Sequence, residues 1–272
     1  MIQQTTNNPV RIVQITDTHL YAEAHGTLLK MNTRDSFNHV VKAVKEREPD
    51  IDIILATGDI AQDASEQAYR LFMDSMRDFK APYFWIPGNH DVASEMERIA
   101  EGSSATEKLI KVNNWLILLL DTSEVGQVHG SLAVEELEFL NTSLKRYQDD
   151  ESVEHILITM HHNPTRGNAG WMKDIGLRNA KAFWKFVGLS DKVRCVLYGH
   201  VHQSLDFEHE GVRCLCTPST CIQFKPNVTN FELDKENPGY RNLQLFADGS
   251  IETEVYRIVE HDLELDYDSE GY

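Results

Sequence analysis

Five short apolar runs of this 272-residue chain each stop at residues that bind hard or borderline cations. They end at Asp17-Thr18-His19, Gly58-Asp59, Gly88-Asn89-His90-Asp91, His161-His162 and Gly199-His200-Val201-His202. Each group has an ordinary reading when taken alone, because Asp, Asn and Gly are common turn residues. Together they are different: carboxylate, imidazole and amide oxygen recur only where strand-like runs end. Ligands collect outside the carboxyl ends of strands in open α/β sheets. The chemistry such a set suits is hydrolysis at a pair of metal ions, since two cations about 3.5–4 Å apart need a shared carboxylate to screen their repulsion. Asp59, fixed by a preceding glycine and a buried run, is the natural bridge. One ion would take Asp17, His19 and His202, and the other Asn89, His161 and His200. The i, i+2 spacing of His200 and His202 on an extended segment sends both rings to one side. The histidines at 25, 39, 129, 155, 209 and 261 read as structural or solvent-exposed.

The elements that must position these groups are legible in the apolar periodicity. Val10 to Thr16 and the β-branched run Ile51 to Ala56 read as strands, the second covered on both faces. Tyr83 to Ile86 reads as a third, stopped by Pro87-Gly88. Between them, Phe37, Val40, Val41 and Val44, then Tyr69, Phe72, Met76 and Phe79, mark two amphipathic helices. Alternation of strand and helix predicts a parallel sheet with right-handed crossovers. Farther on, Lys108 to Leu120 reads as a hairpin turning at Asn113-Asn114. A helix through Leu137, Leu140, Leu144 and Tyr147 follows, then the strand Ile156 to Met160, a helix around Phe183, Trp184 and Val187, and the strand Val193 to Tyr198. Strands at Val212 to Cys216, Leu243 to Phe246 and Ile251 to Tyr256 complete a mixed second half. The expectation is two sheets packed face to face with helices outside.

Composition sets the outer limits. Hydrophobic residues make up 41% and charged residues 25%, which suits one globular domain. With 43 acidic against 26 basic residues the net charge is −17, which disfavours long nucleic acid as a partner. The first residues lack the basic and apolar regions of a signal peptide, and the longest apolar run, Trp115 to Leu120, is too short to span a bilayer. The expectation is a cytoplasmic protein without membrane contact. Cys195, Cys214, Cys216 and Cys221 form no C-x-x-C pair and read as reduced, buried thiols. The expected division is an N-terminal extension over 1–9, the domain over 10–257, and an acidic, solvated tail over 258–272.

In this order, Asp-x-His, Gly-Asp, Gly-Asn-His-Asp, a histidine pair and Gly-His-x-His resemble the calcineurin-like metallophosphoesterases, across residues 10 to 257. The resemblance implies an α/β, four-layer sandwich of two mixed β-sheets flanked by helices. It also implies a two-metal centre held by Asp17, His19, Asp59, Asn89, His161, His200 and His202. His90 would be the catalytic, non-ligand histidine, with His19, Asn89 and His90 against the substrate. Aligning on Pro164 makes His162 the alternative to His161. Outside this set, His161-His162-Asn163-Pro164 leading to Trp171-Met172-Lys173, the run Pro218 to Pro226, and Pro238-Gly239-Tyr240-Arg241 are similar to bacterial 3′,5′-cyclic AMP phosphodiesterases. Asn163 departs from the proline or histidine more usual there.

The implied reaction is hydrolysis of 3′,5′-cyclic AMP to 5′-AMP by a metal-bridging hydroxide, with His90 assisting the departing 3′-oxygen and Asp91 either orienting His90 or capping the next helix. The ligand types suit iron, manganese or zinc without choosing among them. Trp171, Phe224 and Tyr240 are candidates to stack on the base, and a homodimer is implied by the resemblance alone. The alternatives are a phosphodiesterase of broader specificity and a non-catalytic scaffold of the same fold.

Overall fold

The structure is a computed structural model and describes residues 8–259 and 265–271. Most of the expected N-terminal extension, part of the acidic tail and His261 therefore lie outside the described residues. Strands are β1 (Val10–Ile15), β2 (Thr27–Leu28), β3 (Met31–Asn32), β4 (Ile53–Thr57), β5 (Tyr83–Ile86), β6 (Leu109–Val112) and β7 (Trp115–Leu119). They continue as β8 (His155–Thr159), β9 (Val193–Tyr198), β10 (Leu205–His209), β11 (Val212–Cys216), β12 (Gly239–Leu245) and β13 (Ile251–Arg257). The helices are α1 (Thr33–Arg47), α2 (Glu66–Met76), α3 (Ala93–Ile99), α4 (Val134–Gln148) and α5 (Ala180–Val187), with a 3-10 turn at Trp171–Asp174.

Two mixed sheets form, in the strand orders β13-β12-β1-β4-β5 and β10-β11-β9-β8-β7-β6. The crossovers through α1 and α2 make β1, β4 and β5 parallel, as the alternation predicts. Strands β7, β8, β9 and β11 are parallel as well, so their carboxyl ends also share an edge. Ile12, Ile53, Leu55 and Phe84 of the first sheet bury against Trp115, Ile117, Leu157 and Leu197 of the second, which makes a layer between sheets. On the outer face of the five-stranded sheet, Val13, Ile15, Ile54 and Trp85 pack on Phe37, Val40, Tyr69 and Phe72 of α1 and α2. Across the other sheet, Leu116, Leu118, Ile156 and Ile158 meet Leu140, Leu144, Phe183 and Val187 of α4 and α5. The result is the expected four-layer sandwich.

A polar network also crosses the seam. The Gln14 side chain is buried in β1 and donates to Thr57 Oγ1 at 2.7 Å and to the Tyr198 carbonyl at 3.2 Å, while its oxygen accepts from Thr217. Arg241, 3% exposed, donates to Thr217 Oγ1 and to the carbonyls of Cys216 and Leu205. A buried guanidinium is tolerated only with its donors satisfied. All four cysteines are free and buried, and burial pushes the Cys214 and Cys221 thiols up to about 12.

Several details differ from the sequence reading. Strand β10 is an edge strand whose residues are mostly exposed, so Leu205-Asp206-Phe207-Glu208-His209 lacks the apolar run that marks its neighbours. Phe79 lies past the end of α2. The tail is not wholly solvated, because Leu265 is buried in the core beneath the six-stranded sheet. Among the described residues no helix is long and apolar enough to cross a membrane.

Candidate metal centre

The five predicted strand ends arrive at one place. Asp17 and His19 follow β1, Asp59 follows β4, Asn89 and His90 follow β5, His161 follows β8, and His200 and His202 follow β9. Six of the seven candidate ligands are buried outright and Asn89 is half-buried. Asp17 Oδ1 lies 3.3 Å from His202 Nε2, which lies 3.2 Å from His19 Nε2. Asp59 Oδ2 lies 3.8 Å from His19 Nε2 and 3.3 Å from His161 Nε2. His161 Nε2 is in turn 3.3 Å from Asn89 Oδ1 and 3.2 Å from His200 Nδ1. Donor atoms around one cation at about 2.1 Å sit roughly 3.0–3.4 Å apart, so the spacing fits two shells that share Asp59.

The outer ring nitrogens support the same use. His19 Nδ1 faces Gln62 Oε1 at 2.5 Å, His161 Nδ1 faces the Thr57 carbonyl at 2.8 Å, His200 Nε2 the Ile175 carbonyl at 2.9 Å, and His202 Nδ1 the Ile222 carbonyl at 2.8 Å. Each outer nitrogen meets an acceptor and so carries the proton, which turns the inner lone pair toward the cluster. His162 differs: its Nδ1 is 2.7 Å from Thr122 Oγ1 and its Nε2 is 3.2 Å from the Val128 carbonyl. Both of its nitrogens have partners of their own, which favours His161 as the ligand, while His161, His162 and His200 also form one group of donor atoms within 4.8 Å of one another.

Packing and backbone conformation fix these groups closely. A Cβ at Gly88 would fall on the Asp59 carboxylate and backbone nitrogen, and one at Gly58 on the His161 ring. Asp17, His19, Asp59, His200 and His202 all adopt positive φ, between 45° and 70°. For residues with a Cβ this region costs on the order of 1 kcal/mol each. Strain of this kind persists where surrounding contacts over-determine it, and here it coincides with five candidate ligands.

Charge is arranged to match. Burial alone would raise the carboxyl pKa of Asp17, but His202 and His161 hold it below the usual range. Burial likewise opposes ionisation of Asp59, and His161, His90 and His19 outweigh it, holding Asp59 well below. Burial keeps His19 and His200 neutral, with values near about 3. His161 is the exception: burial disfavours its charge, yet Asp59 and Asp17 lift it to about 9. Ionised Asp17 and Asp59 with neutral His19 and His200 are protonation states that divalent cations require.

His90 stands at the rim, half-buried, with its backbone N–H donating to Asp59 Oδ1 at 2.9 Å and its ring 5.0 Å from that of His19. Asp91 does not cap α3, whose cap residue is Val92. Its Oδ2 accepts from the Gly88 and Ile60 N–H groups at 2.9 and 3.0 Å, and its Oδ1 from Ala61 at 2.9 Å. It therefore braces the turn carrying Asp59 against the turn carrying Asn89. Burial and the Asp59 charge push its pKa up to about 6 against the pull of those three bonds.

A cavity of about 670 Å³ opens beside this cluster, lined by His90, His200, Trp171, Ile175, Phe224 and Phe231. Phe224 stacks on His202 with ring centroids 4.2 Å apart and 13° between planes, and meets Trp171 edge-on at 5.1 Å. Tyr240, a candidate from the sequence, is elsewhere: it is buried in β12 with its hydroxyl donating to Glu48 at 2.9 Å. Sequence reasoning missed Gln62 and Phe231. The spacing of Gln62, three residues past Asp59 in the same turn, is the one signal that pointed to it.

The profile of the calcineurin-like phosphoesterase family matches residues 10–204. A protein of Escherichia coli strain K12 named 3′,5′-cyclic adenosine monophosphate phosphodiesterase CpdA is 42% identical, over 97% of this chain and 95% of its own length. The protein of the same name from Pseudomonas aeruginosa is 40% identical, over 98% and 97%. Among solved structures, a dimetal phosphatase from Danio rerio is similar in fold with a TM-score of 0.63 and 15% identity, covering 92% of this chain and 100% of that one.

Proposed function

This chain belongs to the calcineurin-like phosphoesterase family of metal-dependent enzymes, and from that premise we propose that it hydrolyses 3′,5′-cyclic AMP to 5′-AMP at a two-metal centre. The observation that carries the reading is the junction of the donor cluster with a cavity of about 670 Å³ whose walls are aromatic. An anionic phosphodiester suits the first and a flat base suits the second. The names of the similar proteins from Escherichia coli and Pseudomonas aeruginosa support the cyclic nucleotide as substrate.

In this proposal Asp17, His19 and His202 would hold one ion and Asn89, His161 and His200 the other, with Asp59 shared between the two sets. Bound cations would polarise the phosphodiester oxygens and make water nucleophilic near neutral pH. The chain's own residues do the rest. His90, anchored by its backbone bond to Asp59, faces the cavity and supplies a proton or hydrogen bond to the departing ribose 3′-oxygen, an otherwise poor leaving group. Asn89, half-buried beside His90, and His19, whose ring lies 5.0 Å from that of His90, would orient the phosphate. Trp171 and Phe231, partly exposed and each packed edge-on against the buried Phe224, present an apolar wall to the base.

The test is product formation from 3′,5′-cyclic AMP by manganese- or iron-loaded protein, beside the 2′,3′-cyclic isomer and an artificial diester such as bis(p-nitrophenyl) phosphate. Chelator-sensitive release of 5′-AMP, fastest from the 3′,5′ substrate, is the expected result. Faster cleavage of the isomer or of the artificial diester would leave a metal-dependent diesterase and remove the cyclic-nucleotide assignment.

A further inference from the structure

We infer that residues 265–271 complete the substrate cavity and that Glu270 is a specificity-determining residue, accepting a hydrogen bond from the exocyclic amine of the base. The inference rests on the cyclic-nucleotide reading above.

This segment lies outside the stretch matched by the family profile, and its composition suggests only a solvated acidic end. Its packing is more definite. Leu265 is 8% exposed and joins the core beneath the six-stranded sheet. The Asp266 N–H donates to the Leu29 carbonyl at 3.1 Å and its carboxylate lies 3.7 Å from Lys30 Nζ. Lys235 Nζ sits 5.8 Å above the Tyr267 ring. The chain then turns on itself, with the Ser269 N–H donating to the Asp266 carbonyl at 3.2 Å and Ser269 Oγ to the Gly271 carbonyl at 2.6 Å. That turn brings Glu270 and Gly271 to the same cavity that His90 and His200 line.

The chemistry of this wall is selective. An ionised carboxylate is an acceptor only, and in a chain of net charge −17 another one beside an anionic substrate is unfavourable unless a donor meets it. The phosphate belongs beside His90 and the candidate ligand His200, and the ring faces belong with Trp171 and Phe231. Glu270 and Asn230, which also line the cavity, are then left to meet the remaining polar edge of the ligand. On adenine that edge offers the 6-amino group as donor, with ring nitrogens beside it for the Asn230 amide. A hydrogen bond to a charged acceptor corresponds to about 10- to 100-fold in discrimination.

The experiment compares kcat/KM for 3′,5′-cyclic AMP, for the 6-chloropurine analogue that lacks the amine, and for bis(p-nitrophenyl) phosphate, in metal-loaded wild type, Glu270→Ala and Glu270→Gln. Wild type is expected to favour cyclic AMP over the chloro analogue by about 10-fold or more. Glu270→Ala should collapse that preference through KM, and Glu270→Gln, which keeps a carbonyl acceptor, should restore part of it. Persistence of the full preference in Glu270→Ala overturns the assignment, as does an equal loss on all three substrates. A wild type that cleaves cyclic AMP with no preference over the analogue sinks this inference and spares the proposed function. A wild type that cleaves only the artificial diester ends both.

Discussion

Replacing Gly88 by alanine tests the centre without deleting any functional group. A methyl group there would overlap Asp59 Oδ1 and Cγ, and also the Asp59 backbone nitrogen. Rotation of the Asp59 side chain relieves only part of the overlap, so the turns after β4 and β5 must separate. Overpacking of this kind costs about 1–3 kcal/mol, and at about 2–4 °C per kcal/mol for a domain of this size the melting temperature should fall by about 2–12 °C. The effect on rate should be larger in proportion. Asp59 Oδ1 holds the His90 backbone at 2.9 Å and Oδ2 lies 3.3 Å from His161 Nε2, so one displacement disturbs His90 and both ligand shells. A shift of about 1 Å in such a group costs about 10²-fold in turnover. The assay is kcat on bis(p-nitrophenyl) phosphate at saturating manganese, with metal per chain and thermal unfolding measured on the same samples. Gly102→Ala is the control: a Cβ there meets nothing within 4 Å, and only its φ of +80° is unfavourable. It should lose about 1 kcal/mol of stability and no activity. Full metal content with turnover within threefold of wild type in Gly88→Ala would refute the argument that this close approach sets the geometry.

Three further outcomes follow from the same geometry. Asp59→Asn should lower metal occupancy, because the shared anionic ligand becomes neutral; metal analysis showing full loading with near-normal turnover would dismiss Asp59 as the bridge. His90→Ala should keep both metals and lose about 10²- to 10⁴-fold in kcat, and empty sites in that variant would mean His90 is a ligand. His161 makes a calorimetric prediction. Because its pKa is raised from 6.5 to about 9, its contribution to the stability of the metal-free protein is fully present below 6.5 and is lost as pH rises through about 9. A cation uses the same Nε2 lone pair, so loading near pH 7 should release about one proton from that ring. Titrations in two buffers of different ionisation enthalpy measure it, and equal heats in both would contradict it.

How much of this was visible in the residues alone depended on what kind of signal each feature leaves. Strand ends were legible because buried β-branched runs stop abruptly at Asp17, Asp59, His161 and His200, and ligand types at the stops are informative in themselves. The partners that aim the imidazoles were not legible, since three are backbone carbonyls, of Thr57, Ile175 and Ile222, which no side-chain pattern marks. Tyr240 was a candidate to stack on the base, whereas Gly239 opens β12 and the strand buries the tyrosine. Capping was one of two readings of Asp91, but two of its three bonds run to Ile60 and Ala61, across a crossover no local pattern reports. Glu270 was hidden by company: in a run of acidic residues nothing distinguishes the one that returns to the cavity.

The seam between the sheets has a mechanical consequence. Asp17, His19, Asp59 and Asn89 ride on the five-stranded sheet, while His161, His200 and His202 ride on the six-stranded one. A cation gripped by donors from both would act as a rivet, so that its escape and the parting of the two layers become one event. Its exchange rate would then report the breathing of the sandwich, with the Gln14 and Arg241 network as the other fastener along the same line. Loosening that fastener, as by Gln14→Leu, should speed ion release although no candidate ligand is replaced.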